Sequence, residues 1–142
     1  MGGNGRTIPE SRFAGCLLGL AIGDALGLAG ENLTRQAIRK RFGQLDRFSL
    51  YPGRAYVSDD TEQAMALAAS LAEKAAFDKA DFARRLRRWF WTLPPFIGLA
   101  TVRACIKLSL GFGAERSGVN SAGNGSAMRV PPLGLFFTGR SE

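Results

Sequence analysis

The chain has 142 residues, of which 46% are hydrophobic and 22% charged, a composition typical of one helix-rich globular domain and not of a disordered segment. Its net charge of +7 favours anionic partners, but the basic runs at 35–41 and 84–88 suit solvent-facing helix surfaces, and no nucleic-acid-binding motif accompanies them, so we do not expect a nucleic-acid partner. The chain contains no histidine, which excludes Ser-His-Asp triads, Cys-His pairs and imidazole-bound zinc, so any catalysis must depend on carboxylates.

The first predicted element is a long apolar helix that begins at Glu10. One side of this helix carries Phe13, Leu17, Leu20 and Asp24. Its glycines recur at every fourth position and would let another backbone approach closely: Gly15, Gly19, Gly23 and Gly27. A signal peptide or a membrane helix is the alternative, because the stretch is nearly free of charge. The two acids and the glycines favour a buried helix of a soluble protein that has no membrane partner.

Two further helices are predicted in the first half of the chain. Residues 32–43 are typical of a short basic helix that Asn32 or Thr34 caps and Gly43 ends. A strong helix then begins at Ser58 or Asp59, with acids in its first turn. Its apolar stripe consists of Ala64, Leu67, Ala68, Leu71 and Ala75.

The second half of the chain predicts three helices. The first is capped by Asp81 and ends before Pro94, the second covers 97–110, and the third covers 127–137 with a proline pair at its first turn or at a kink. The glycine-rich stretch 111–126 predicts a long loop, and such loops are often functional. Since no stretch alternates with the period of a strand, we predict an all-α, compact bundle of five or six helices.

The two cysteines, Cys16 and Cys105, both lie in apolar helical contexts and form no CxxC pair. We therefore expect buried, reduced thiols, which are typical of a cytoplasmic protein. A disulfide between them is the alternative.

Three acidic positions are candidates for chemistry. Asp24 lies on an apolar helix face, where a structural carboxylate paired with an arginine is favoured over a catalytic one. We expect a cationic or backbone partner inside the fold, and Arg129 is the first candidate. Glu31 follows the same helix, and its position alone favours an ordinary exposed side chain. The tetrapeptide 58–61 offers several hard oxygen donors within one turn, so helix capping and binding of magnesium or calcium are equally supported.

A glycine-rich entrance to the last helix, 123–126, is a fourth candidate. Backbone N–H groups at such an entrance can hold a diphosphate. Because the stretch is neither a P-loop nor a dinucleotide-binding fingerprint, a plain turn is the better interpretation of these residues alone.

Taken in order, four segments resemble the ADP-ribosylglycohydrolase family, which includes the dinitrogenase-reductase-activating glycohydrolases and the eukaryotic ADP-ribosyl hydrolases. The segments are RFAGCLLGLAIGDALGLAGE at 12–31, YVSDDTEQAMALAASL at 56–71, IGLAT at 97–101 and GNGSAMRVPPLGL at 123–135. The resemblance implies an all-α hydrolase that cleaves the glycosidic bond between ADP-ribose and an amino acid or related acceptor, with two Mg²⁺ ions near the scissile ribose. It also implies that the partner is an ADP-ribosylated protein or an ADP-ribose derivative.

The resemblance also implies residue roles. The first group of metal ligands corresponds to Ser58, Asp59 and Asp60, with Ser58 in place of the more usual threonine. Glu31 matches a glutamate with a catalytic role. The residues that match substrate-binding loops are Gly98, Ser121, Gly123, Asn124 and Gly125. Asp24 and Arg129 match positions that are interpreted as structural.

One family feature has no counterpart in this sequence. The second metal-ligand group, an Asp-x-Asp-Thr motif, is missing, because no aspartate follows Asp81. Two Mg²⁺ ions are therefore not expected to be held in the family manner, and an inactive paralogue or fragment that binds ADP-ribose or a partner is the alternative to an enzyme.

The ends of the chain carry two further expectations. Residues 1–9 predict a flexible leader, and 10–142 the N-terminal portion of the family's domain, whether by natural truncation, as a fragment or by design. Phe136 and Phe137 lie close to the last residue, so we expect an uncovered apolar surface that favours self-association.

Overall fold

The computed structural model describes residues 9–51 and 54–138, and within them every regular element is helical. The predicted leader at 1–9 lies, apart from Pro9, outside the described residues. The elements are α1 (Glu10–Gly27), a 3₁₀ turn (Leu28–Gly30), α2 (Arg35–Phe42), α3 (Asp59–Lys74), α4 (Lys79–Phe90), α5 (Leu99–Ser109), α6 (Ala114–Ser117), a 3₁₀ turn (Ala127–Arg129) and α7 (Val130–Phe137). The all-α class is confirmed.

The described part of the chain has seven helices where five or six were predicted. The additional helix is α6, which lies inside the stretch predicted as a loop at 111–126. A single turn of helix in a glycine-rich stretch carries little periodicity, so the hydrophobic pattern does not reveal it.

Local capping explains where the other helices begin. The Thr34 hydroxyl accepts a hydrogen bond from the Ala37 N–H at 3.2 Å and thereby caps α2, which ends at Gly43 with φ of +71°. The prediction that Asp81 caps α4 is wrong. Asp78 is the cap and accepts from the Asp81 N–H at 2.9 Å, because it lies one turn earlier and also suits the position.

Asp81 instead lies buried between α3 and α4. Its carboxylate accepts hydrogen bonds from Ser70 at 2.7 Å and from Arg84 and Arg85 at 2.7 and 2.6 Å. Arg85 also pairs with Glu73. Arg85 of the second basic run is therefore half-buried and has structural partners. Arg84, which also bonds to Asp81, is exposed as predicted, and so are Arg87 and Arg88.

Helix α3 is the centre of the fold and packs against α1, α4 and α7. Of its predicted apolar stripe, Ala64, Leu67 and Leu71 are buried. Ala75 is exposed because it follows the last helical residue in a left-handed conformation, with φ of +52°. The buried hydrophobic side chains of the described residues are Ala25, Leu28, Ala64, Leu67, Leu71, Cys105, Leu108 and Met128.

Helix α1 contacts the rest of the described chain with one side, as predicted, but it is not buried. Ala25 is its one buried residue, whereas Leu18 and Ile22 are 62% and 50% exposed. A Cβ atom added at any glycine of the row at 15, 19, 23 and 27 would meet nothing within 4 Å among the described residues. The expected close backbone approach is therefore absent there. The stretch Glu10–Gly30 is long and apolar enough to cross a membrane, a criterion that core helices and signal sequences also meet.

The last helix begins at Val130, later than the predicted start at 127, because Ala127–Arg129 form a 3₁₀ turn. Its proline pair lies in the first turn, which is one of the two predicted places. Phe137 is 51% exposed, and its ring packs edge-on against that of Phe136 at 5.1 Å between centroids. The two thiols are free, with Cys105 buried and Cys16 half-buried.

Candidate active site

The site lies at the N-terminus of α3, where Asp24 connects it to α1. One oxygen of the Asp24 carboxylate accepts hydrogen bonds from the Ser58 N–H at 2.8 Å, the Thr61 N–H at 3.2 Å and the Thr61 hydroxyl at 2.5 Å. The other oxygen accepts from the Ser58 hydroxyl at 2.8 Å. The predicted arginine partner, Arg129, is wrong. Backbone and hydroxyl donors of the first turn of α3 satisfy this carboxylate, an arrangement that helix N-termini offer to anions.

Ser58 acts as the helix cap. Its hydroxyl donates to Asp24 and accepts from the Asp60 N–H at 3.2 Å, and the residue is 2% exposed. Within the tetrapeptide 58–61, Ser58 therefore caps the helix. Asp59 and Asp60 do not, because their carboxylates have other partners.

The Asp59 carboxylate has two partners from different parts of the chain. The Gln63 amide donates at 2.7 Å, and the Gly98 N–H, in the loop before α5, lies close enough to lower the pKa of the carboxyl group. Gln63 is wholly buried, and its amide oxygen accepts from Arg129, whose guanidinium also lies over the Phe82 ring at 5.7 Å. Sequence reasoning missed Gln63. Its signal was a polar residue four positions after Asp59, on the same helix face.

Asp60 connects α3 to the loop before α7. Its carboxylate accepts a hydrogen bond from the Asn124 side-chain amide at 3.0 Å. Within the loop, the Ser121 hydroxyl accepts from the Gly123 N–H at 3.1 Å, and the Asn124 carbonyl accepts from the Met128 N–H at 3.1 Å. These bonds bring the predicted loop residues to the start of α3.

A cavity of about 450 Å³ opens beside these residues. All five residues predicted to bind substrate line it, together with Asp59 and Arg129: Gly98, Ser121, Gly123, Asn124 and Gly125. The volume lies in the range of small-molecule sites, about 300–1,000 Å³. The glycines present no side chain to the cavity, so a ligand can approach their backbone closely.

Carboxylates concentrate negative charge at this end of α3. Glu31 is exposed, as its position alone predicts, and its pKa is raised by partial desolvation and by the charges of Asp60, Asp59 and Asp24. Burial also raises the pKa values of Asp59 and Asp60, although the Gly98 N–H opposes the shift of Asp59 and Asn124 opposes that of Asp60. Deprotonating all of these groups together is therefore unfavourable without a nearby cation.

The donor set matches part of a magnesium site. Asp59 and Asp60 offer carboxylate oxygens, the ligands that Mg²⁺ prefers, and a cation would relieve their repulsion. Over residues 9–51 and 54–138, however, no group of three or more His, Cys, Asp or Glu side chains lies close enough together to hold a metal ion. The described residues therefore fit the ion in ligand type but supply only part of the ligands that it needs.

Comparison with known proteins gives the family of the chain. The profile of the ADP-ribosylglycohydrolase family matches residues 6–142. An uncharacterised protein of Archaeoglobus fulgidus is 41% identical over 133 residues, which cover 90% of this chain and 44% of that protein. The ADP-ribosyl-[dinitrogen reductase] glycohydrolase of Rhodospirillum rubrum is 35% identical, with 92% and 46% covered. The ADP-ribosylhydrolase ARH3 of Bos taurus is 32% identical, with 96% and 42% covered.

The chain thus spans less than half the length of these relatives. The matched segment nevertheless includes every residue of the site described above. The chain belongs to the ADP-ribosylglycohydrolase family.

Proposed function

We propose that the protein containing this chain is a cytoplasmic, Mg²⁺-dependent hydrolase that cleaves the glycosidic bond between ADP-ribose and a modified protein side chain or related acceptor. Family membership and the names of two relatives, both ADP-ribosyl hydrolases, support the reaction class. The magnesium requirement, the acceptor and the location are parts of the proposal that rest on the ligand types, on the resemblance and on the reduced thiols.

One observation carries the proposal. The first turn of α3 meets both loops that line the cavity, because Asp59 lies beside the Gly98 N–H and Asp60 accepts a hydrogen bond from Asn124. A ligand held by these loops therefore lies next to Asp59, which lines the same cavity. A hydrolase needs its carboxylates close to the bound ligand in this way.

The two loops that line the cavity bind ADP-ribose in this proposal. The backbone N–H groups of Asn124 and Gly125 suit the oxygens of a diphosphate, and the missing side chains of the glycines let the ligand approach closely. Arg129 adds positive charge on the cavity wall. Arg129 therefore attracts a negatively charged ligand to one side of the cavity, while Asp59 makes the other side acidic.

Glu31 is the proposed general base. Partial desolvation is the main cause that raises its pKa, and it makes this carboxylate a better proton acceptor than an ordinary glutamate. It would accept a proton from the water that attacks the anomeric carbon, while the bond to the acceptor breaks through an oxocarbenium-like state and the departing acceptor takes up a proton in exchange. Magnesium held by Asp59 and Asp60, when bound, would polarise ribose hydroxyl groups and neutralise the two carboxylates.

The experiment measures release of ADP-ribose by the full-length protein from ADP-ribosyl-arginine and ADP-ribosyl-serine peptides, with and without Mg²⁺. We expect release that EDTA abolishes, and a loss of about 10²-fold or more in Glu31→Gln, as for other general bases. Glu10→Gln, at an exposed glutamate of α1, is the control and should retain activity. Binding of ADP-ribose without release from any substrate would contradict the proposal.

A second variant tests the metal. Asp60→Asn keeps the side-chain shape and leaves the first-turn acids Asp59 and Glu62 in place, so α3 should still form. It should weaken Mg²⁺ binding in isothermal titration calorimetry, whereas Asp46→Asn at an exposed carboxylate should not. Unchanged magnesium-dependent activity in Asp60→Asn would mean that these acids only stabilise the helix end.

A further inference from the structure

Gln63 is a fully buried amide between a predicted metal ligand and a cation. Its Nε2 donates to Asp59 Oδ2 at 2.7 Å, and its Oε1 accepts from Arg129 Nη2. We propose that Gln63 is a positioning residue whose neutral side chain holds Arg129 away from Asp59 and so keeps the Asp59 charge available to a ligand in the cavity. This inference rests on the proposed function.

The partners determine the orientation of the amide. A carboxylate can only accept and a guanidinium can only donate, so the NH₂ group must face Asp59 and the carbonyl must face Arg129. Both polar ends are therefore satisfied, as a buried amide requires. The amide dipole also lies in the favourable direction between the negative and the positive group.

The position of Gln63 distinguishes it from the residues that it connects. Asp59 and Arg129 both line the cavity, whereas Gln63 is behind them in the core. Among the described residues, Asp59 and Arg129 form no direct ion pair. Two oppositely charged side chains on one cavity wall are thus kept apart by the amide that bonds to both.

A direct ion pair with Asp59 would satisfy buried donors of Arg129. Arg129 is half-buried, and its Nε is buried without a hydrogen-bond partner within the described chain. Loss of the Gln63 carbonyl would leave Nη2 without a partner as well, and unpaired buried donors are costly. The neighbouring carboxylate is the acceptor that would satisfy them, and an Asp59 paired with Arg129 would be a poor ligand for a cation.

The test uses the full-length protein and MgCl₂ alone as the probe, with calorimetry for the affinity and kcat and KM measured for an ADP-ribosylated peptide. Gln63→Met keeps the length of the side chain but removes both hydrogen bonds. We expect Mg²⁺ affinity to fall by about 10- to 100-fold, as for other residues that orient a ligand. We also expect kcat to fall at limiting Mg²⁺ and to recover at high Mg²⁺, with KM little changed.

The double variant Gln63→Met/Arg129→Met separates positioning from packing. It removes the cation that would capture Asp59, so Mg²⁺ affinity should return close to that of the wild type even if the melting temperature falls further. It also leaves no unpaired cation, so it should fold even where the single variant does not, and a fall in its Mg²⁺ affinity would then overturn the inference by itself. Ser70→Ala, which removes a different buried hydrogen bond of α3, should lower the melting temperature without changing Mg²⁺ affinity.

The outcomes are distinct. A wild-type protein that neither binds Mg²⁺ nor hydrolyses the peptide would refute the proposed function. An active wild type whose Gln63→Met variant folds and binds Mg²⁺ normally would overturn the inference about Gln63 alone. A double variant that loses Mg²⁺ affinity in the way that the single variant does would overturn it too, because Arg129 would then not be the competing group.

Discussion

Asp24 lies in α1 and bonds to the start of α3. Replacing it by alanine should destabilise the protein more than replacing any single residue in the first turn of α3. The Asp24 carboxylate accepts from four donors, two of which are backbone N–H groups of nearly buried residues, Ser58 and Thr61. The two hydroxyl groups can rotate towards other acceptors, but the two N–H groups cannot. At about 1–3 kcal/mol for each unsatisfied buried donor, the loss should be about 2–6 kcal/mol.

A loss of this size is comparable to the whole free energy of unfolding of many domains, about 5–15 kcal/mol. Asp24→Asn keeps one acceptor oxygen for the backbone donors, and its new NH₂ group can donate to the Ser58 hydroxyl, so this variant should lose only about 1 kcal/mol. Asp46→Ala, at an exposed carboxylate, is the control.

Urea denaturation followed by circular dichroism measures the free energy of unfolding of all three variants. The expected order of stability is Asp46→Ala, Asp24→Asn and then Asp24→Ala. An Asp24→Ala protein within about 0.5 kcal/mol of the wild type, the usual range for surface substitutions, would refute the reasoning. The Asp24 carboxylate would then contact the start of α3 without contributing measurably to the free energy of unfolding.

Three further predictions concern other parts of the molecule. Hydrogen bonds from Arg85 and Ser70 hold the pKa of Asp81 below its usual value, so its stabilisation is complete above the ordinary carboxyl pKa of about 3.9 and is lost as the pH falls. Asp81→Asn should therefore have a flatter dependence of urea midpoint on pH between about 5 and 3 than the wild type, and parallel curves would contradict this. Burial raises the pKa of the Cys105 thiol to about 11, so at pH 8 Ellman's reagent should modify Cys16 before Cys105, and equal rates would show that α5 opens readily. Finally, the 142-residue chain alone should show little or no hydrolase activity even with Mg²⁺, because its described residues supply too few metal ligands. It should also self-associate in size-exclusion chromatography with light scattering, because it exposes large apolar side chains. A monomer with turnover like that of full-length relatives would contradict both expectations.

Sequence reasoning predicted the features that depend on neighbours along the chain. Thr34 and Gly43 bound α2 as expected, and the acids of α3 occupy its first turn, because caps and helix dipoles act over a few residues. The choice of Asp81 over Asp78 as a cap was wrong for a related reason. Two aspartates three residues apart both satisfy the local rule, and only the packing of α3 against α4 decides between them.

Features that depend on distant segments were harder to predict. Asp24 was expected to have a cationic or backbone partner, and the backbone partner is confirmed, whereas Arg129, the first candidate, is wrong. Only the packing of α1 against α3 brings the N–H groups of Ser58 and Thr61 to this carboxylate. Gln63 is a polar residue on the buried side of α3, and only the positions of Asp59 and Arg129 give it a meaning. The exposure of α1 depends on what packs against it, which no local pattern contains.

The attachment of α1 has a consequence for its dynamics. Its one buried residue, Ala25, and its bonded carboxylate, Asp24, both lie in the last turn, whereas the residues before them are half-buried or exposed. Amide hydrogen exchange along α1 should therefore slow gradually from Glu10 towards Gly27, because opening that starts at Glu10 breaks few contacts with the other described residues. The N–H groups of Ser58 and Thr61 should exchange together with the last turn of α1, since they are protected by a side chain of that turn. Two amides on one helix would then report the local unfolding of another.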